Sequence, residues 1–358
     1  MNIRIASRRA VFSVVFLAAI LGGLDSFAAD QRPTAPLQPE TGPGGKEYKH
    51  KAVKEFRYGN EGEGYWIFQP DEPRPESAPV VIFLHGYSAM FPVFYRAWIE
   101  HICMRGNIVI YPQYQSGPLS PTWHYFPNVL TAVKDAREKL KNAEIHVAAQ
   151  WDKCAVVGHS FGGAMTAKYA SVAAAEGVPI PLAAMSVQPG AGPKQAPQFG
   201  LKLDKLDQIP ASTLLVVVVG EDDTVVGNIL GREIFRGAVN VPAENKDFCV
   251  LMSDTYGDPP LLSTHASPSA IPRDIPGIQT ASTFAERKAS KFRDRGTNPA
   301  GVDAQDYYGI WKIFDALCDC AFYGKNREYA LGNTPEQRFM GKWSDGKPVK
   351  ELVVTDDP

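Results

Sequence analysis

Residues 213–219, Thr-Leu-Leu-Val-Val-Val-Val, form an uncharged run too short for a membrane span and too rich in β-branched side chains for a helix. A strand with no polar alternation is one buried on both faces. That happens where helices cover both sides of a mostly parallel sheet. This run therefore restricts the chain to the layered α/β architectures before any other residue is considered.

The rest of the sequence fits the same restriction. Further apolar runs at residues 79–84, 107–111, 153–157, 182–187 and 248–252 read as strands, the last as the final one. Residues 65–68, Tyr-Trp-Ile-Phe, read as an early edge strand. Between them lie helix-like segments at 94–105, 128–141 and 162–175. The second places Val129, Ala132, Val133, Ala136 and Leu140 on one stripe, with charged residues on the other. Residues 307–322 read as a terminal helix. The expected fold class is thus α/β, a mostly parallel central sheet with helices on both faces in a single domain. Two stretches, 189–208 and 267–295, are rich in turn residues and read as surface loops or parts of a lid over the site.

The amino terminus has a different character. Arg4, Arg8 and Arg9 precede a short apolar run at 11–21, and Ser26-Phe27-Ala28 places small residues where a signal peptidase would cut. Residues 1–28 read as a signal peptide, which implies export to the periplasm or the extracellular space. Ser7-Arg8-Arg9 also loosely resembles a twin-arginine signal. Residues 29–55, rich in Pro, Gly and charge, read as a flexible leader, with the folded domain running from 56 to 358. The formal charge of −2 gives no electrostatic reason to expect nucleic acid or an anionic membrane as partner. Five cysteines, Cys103, Cys154, Cys249, Cys318 and Cys320, lack metal-ligand spacing; the pairing to test is Cys249 with Cys318 or Cys320.

The sharpest chemical signal is Gly158-His159-Ser160-Phe161-Gly162, set between a strand and a helix. A serine on that kind of turn projects its hydroxyl from the sheet edge. It needs a base and a group to orient the base, expected in the chain order serine, acid, histidine. Asp223, in Gly220-Glu221-Asp222-Asp223 after the 213–219 strand, is the first candidate for the acid, with Asp222 its rival. His265 is the histidine that follows. Oxyanion donors are expected from the main-chain N–H groups of Phe161 and of Tyr87, the latter in His85-Gly86-Tyr87, with the Tyr87 ring facing the cleft.

With Phe83-Leu84-His85-Gly86-Tyr87, Gly158-His159-Ser160-Phe161-Gly162-Gly163, Gly220-Glu221-Asp222-Asp223 and His265 in this order, the chain resembles α/β-hydrolases of the group that holds chlorophyllases, cutinase-like polyester hydrolases, dienelactone hydrolases and platelet-activating-factor acetylhydrolases. The resemblance covers about residues 79–268. It implies an α/β-hydrolase fold and an acyl-enzyme on Ser160 released by water. It also implies no cofactor; the spacing gives no metal site, and the expected partner is a small-molecule or lipid-like ester. Amide cleavage or acyl transfer would use the same three residues, and a non-catalytic binding protein would need at least one of them to be unsuitable. After His265 the chain continues for about ninety residues, beyond where compact polyester hydrolases stop.

Overall fold

The computed structural model describes residues 32–117, 119–191, 201–272 and 301–358. The segment read as a signal peptide, the middle of the 189–208 loop and most of the 267–295 stretch lie outside the described residues.

A nine-stranded sheet runs in the order β1-β2-β4-β3-β5-β6-β7-β8-β9. Its centre is parallel: β4 (Ile108–Pro112), β3 (Ser77–Leu84), β5 (Ala148–His159), β6 (Ala183–Val187), β7 (Leu214–Gly220) and β8 (Lys246–Leu251). Antiparallel strands flank it, β1 (Ala52–Tyr58) and β2 (Tyr65–Asp71) on one side and β9 (Val353–Thr355) on the other. This mostly parallel sheet with helices on both faces is the α/β-hydrolase architecture.

The alternation of side chains along the strands divides the core in two. Val81, Phe83, Val157, Val216 and Val218 face one side. There they pack with Trp98 and Ile102 of α1 (Arg96–Met104) and with Ile313, Phe314 and Leu317 of a helix at Trp311–Tyr323, named α5 below. Ile82, Leu84, Val156, Leu215, Val217 and Val219 face the other side. They pack with Val129 of α2 (Tyr125–Lys139), Met165 of α3 (Phe161–Glu176) and Ile234 of α4 (Ile229–Gly237). Every residue of β7 is buried, as its uncharged run requires. Truncating a ring such as Phe83 to alanine would cost about 3–5 kcal/mol.

Several expectations are corrected at the margins. Residues 65–68 are not at an edge, because β1 pairs along the full length of β2. The alternation of Lys54, Glu55 and Arg57 disguised β1, and charge of this kind is how an exposed edge strand avoids further pairing. The flexible leader is corrected too: from Pro33 onward it is tied down. The amide of Asp258 donates to the Pro33 carbonyl, Ser344 N to Thr34 O, the Tyr307 hydroxyl to Pro36 O, and Gly44 N to the Asp315 carboxylate at 2.7 Å. Strand β8 is not the last, since the extension returns as β9 beside it. The 307–322 helix begins with a π-helical turn at Gln305–Ile310 and continues as α5, followed by the short α6 (Pro335–Arg338). All five cysteines are free thiols; Cys249 lies against the Gln337 side chain instead of another sulfur.

Candidate active site

The chemistry is assembled at the carboxyl ends of the parallel strands, where open α/β sheets gather their ligands. Strand β5 ends at His159, α3 begins at Phe161, and Ser160 between them adopts φ 56° and ψ −121°. A non-glycine residue there is strained, and it persists only because its surroundings fix it. Ser160 N donates to Val187 O at 3.0 Å, while its carbonyl accepts from Gly190 N at 2.9 Å and Ala164 N at 3.1 Å. The flanking glycines are demanded by crowding. A Cβ on Gly162 would lie 2.0 Å from the Leu84 carbonyl oxygen, and one on Gly158 2.4 Å from the Gly162 oxygen. The turn thus presses the amino terminus of α3 against the end of β3.

From this turn a hydrogen-bonded line runs across the strand ends. The Ser160 Oγ is 2.9 Å from His265 Nε2, and His265 Nδ1 is 2.8 Å from Asp223 Oδ2. The other carboxylate oxygen of Asp223 accepts the amides of Val225 at 2.9 Å and Val226 at 3.1 Å. Burial pushes the Asp223 carboxyl up. The hydrogen bond and charge of His265, with those two amides, more than offset it and hold the group below the usual carboxylate range. Asp223 is therefore ionised at neutral pH and fixes His265 with a proton on Nδ1, leaving Nε2 to accept from the serine hydroxyl.

The rival carboxylate faces elsewhere. Asp222 accepts from the Ser253 hydroxyl at 2.5 Å, and that hydroxyl in turn accepts from Ser263 N at 2.9 Å. The 220–223 turn thus divides its labour, with Asp222 and Glu221 securing the loop that carries His265 and Asp223 reaching the ring itself.

The β3 end approaches from the other side. A Cβ on Gly86 would be 3.3 Å from the Ser160 Cβ, so this loop backs onto Ser160. Gly86 N is taken by the Tyr95 hydroxyl at 3.0 Å and Ser88 N by Gln115 Oε1 at 2.9 Å, one residue either side of Tyr87. Phe161 opens α3, so its amide has no acceptor within the helix and sits at the positive end of the helix dipole. The Tyr87 ring is half exposed. Tyr95, Gln115 and Gln188, whose amide donates to Thr264 O at 3.0 Å, were missed by sequence reasoning. Nothing local marks them, since each acts by reaching across from another element.

Among the described residues no group of three or more His, Cys, Asp or Glu side chains is arranged to hold a metal ion. No helix among them is long and apolar enough to cross a membrane.

Comparison with known proteins gives three results. A solved structure of a fungal esterase from Rhizomucor miehei is similar at 15% identity, with a TM-score of 0.44 over 57% of this chain and 75% of that one. Among curated proteins none matches. The family model described as chlorophyllase matches residues 49–242, which include Ser160, Asp223 and both loops that meet at the Ser160 turn. With more than half its length matched in this way, the chain belongs to the chlorophyllase family and is a carboxylic-ester hydrolase of the α/β-hydrolase type.

Proposed function

We propose that the protein is an exported serine hydrolase that cleaves hydrophobic carboxylic esters through Ser160, His265 and Asp223. The observation that carries this reading is the unbroken line from Ser160 Oγ to His265 at 2.9 Å and from His265 to Asp223 at 2.8 Å.

In this mechanism Ser160 Oγ attacks the ester carbonyl and its proton passes to His265 Nε2. The carbonyl oxygen becomes an oxyanion held by the amides of Tyr87 and Phe161, each such donor being worth about 3 kcal/mol of barrier. Collapse expels the alcohol, which takes the proton from His265 and leaves an acyl group on Ser160. Water then loses a proton to His265, attacks the acyl carbonyl, and releases the acid as Ser160 recovers its proton. Asp223 stays ionised throughout and stabilises the imidazolium.

A hydrophobic ester is supported by the apolar groups near this line. Val226 lies beside Gly190, which itself adjoins the Ser160 hydroxyl, and its neighbour Val225 is exposed, as are Ile229 at the start of α4 and the Tyr87 ring. Such groups suit an apolar acyl or alcohol moiety better than a charged one. Export rests on the charged, apolar and small-residue succession at residues 1–28.

The test is labelling of the mature protein with a fluorophosphonate, followed by mapping of the modified peptide. Modification at Ser160, lost in Ser160→Ala, is the expected result. An unlabelled wild-type protein, or equal labelling of the variant, would sink the reading. Amino-terminal sequencing of the exported chain should begin at Ala29.

A further inference from the structure

His159, the residue before the nucleophile, is given no part in the mechanism above, yet its surroundings are unusual. The ring is buried and lies 4.7 Å, centroid to centroid, from the ring of His265. Its Nδ1 is 2.8 Å from the hydroxyl of Tyr95, which is also buried. That hydroxyl already accepts the Gly86 amide at 3.0 Å, and burial keeps the phenol protonated, so its single proton is the one available for Nδ1. Nδ1 is therefore an acceptor, and the neutral ring carries its hydrogen on Nε2.

On that second edge Nε2 is buried with no partner at hydrogen-bonding geometry, beside Gln188 and the main chain of His265. Gln188 Oε1 is likewise buried without a partner, while its amide nitrogen holds Thr264 O at 3.0 Å. A buried donor and a buried acceptor thus both adjoin the segment that carries His265. Burial, followed by the nearby His265, holds the His159 ring well below the usual histidine range. It therefore adds no positive charge next to a His265 that must become an imidazolium.

We propose that His159 is a positioning residue: tied to Gly86 through Tyr95 on one edge and packed against His265 and Gln188 on the other, it holds the oxyanion loop and the general base in register across the nucleophile turn. The proposal rests on the assignment of Ser160 and His265 given above and deepens it. One ring thereby joins the loop after β3, which supplies an oxyanion donor, to the loop after β8, which supplies the base.

The experiment compares Tyr95→Phe, His159→Phe, their double variant, His159→Asn and His159→Gln in the full chain. Melting temperature, kcat and KM on a p-nitrophenyl ester, and the rate of fluorophosphonate labelling are measured. Each phenylalanine variant should lower kcat about tenfold to a hundredfold, the size of effect expected from a small misplacement of reacting groups, with KM within about twofold. The two losses should not multiply in the double variant, because both break one chain. Asparagine, whose amide oxygen replaces Nδ1, should restore more of kcat than glutamine, whose amide reaches the Nε2 edge. Single variants that keep kcat within twofold, lose only KM, or multiply in combination overturn the proposal. Should His159→Phe fail to fold, Tyr95→Phe, which removes one oxygen, decides alone. A wild-type protein that takes no label condemns the mechanism itself; one that labels as fast as Tyr95→Phe condemns only the positioning role.

Discussion

Among the described residues two Asp–His pairs have the same separation but different surroundings. His265 meets Asp223 at 2.8 Å, and His101 of α1 meets Asp315 of α5 at 2.8 Å. Beyond the pair they diverge. The second nitrogen of His265 faces the Ser160 hydroxyl, and its side chain retains 19% exposure; that of His101 is closed off by the Tyr48 hydroxyl at 3.1 Å, with 0% exposure. Asp315 is further saturated by Arg105 at 3.1 Å and by Gly44 N at 2.7 Å. The first arrangement leaves the far nitrogen on a single hydroxyl in a partly exposed setting. The second spends every donor in pinning the 33–50 segment and α1 to α5. A short Asp–His contact is therefore no sign of catalysis by itself; what the far nitrogen sees decides.

That contrast can be attacked by mutation. The largest effect should come from Ser160→Ala: kcat/KM for a p-nitrophenyl ester falls on the order of 10⁵-fold with the melting temperature little changed, since only the hydroxyl oxygen is removed and alanine keeps the same backbone conformation. Asp223→Asn should follow, lowering kcat about 10⁴-fold by misdirecting the tautomer of His265, while Asp222→Asn changes it by no more than about tenfold. Comparable losses in the two would mean that the turn is arranged differently in solution.

Asp315→Ala should reverse the pattern, removing about 3–5 kcal/mol of stability in urea unfolding because Arg105 loses a buried partner, with kcat of the folded fraction kept within about twofold. If it instead abolishes activity while stability holds, the two pairs are not functionally separate. The smallest effect concerns acid. Burial raises the Asp315 carboxyl, but Arg105 and His101 outweigh it and hold the group below its ordinary range. Its stabilisation is therefore complete above the unfolded value of about 3.9 and lost as pH falls through the lower folded value. Melting curves between pH 5 and 2 should be shallower in Asp315→Asn than in wild type, and parallel curves would contradict the assignment.

The legible part of this protein was local. The uncharged run of β7, the stripe on α2 and the glycine-bounded turn at Ser160 each carry their reason within a few residues, because strand burial, helix period and crowding at a tight turn are short-range demands. The unread part joined residues far apart. The proline- and glycine-rich segment before Ala52 carries no period of its own, yet Gly44 and Asp315 pair across 271 positions. β1 hid behind its charges, and Cys249 met Gln337 rather than a second sulfur.

The sequence by itself determined the layered α/β class, the strand-turn-helix around Ser160, and a short set of residues able to supply acid and base. Tertiary structure decided which member of that set reaches which partner. A change of one residue along the 220–223 turn redirects a carboxylate from His265 to Ser253, and no local propensity distinguishes those outcomes. Only the placement of the His265 loop, set by hydrogen bonds from Gln188, Asp222 and Ser253 just past the ends of β6, β7 and β8, does so.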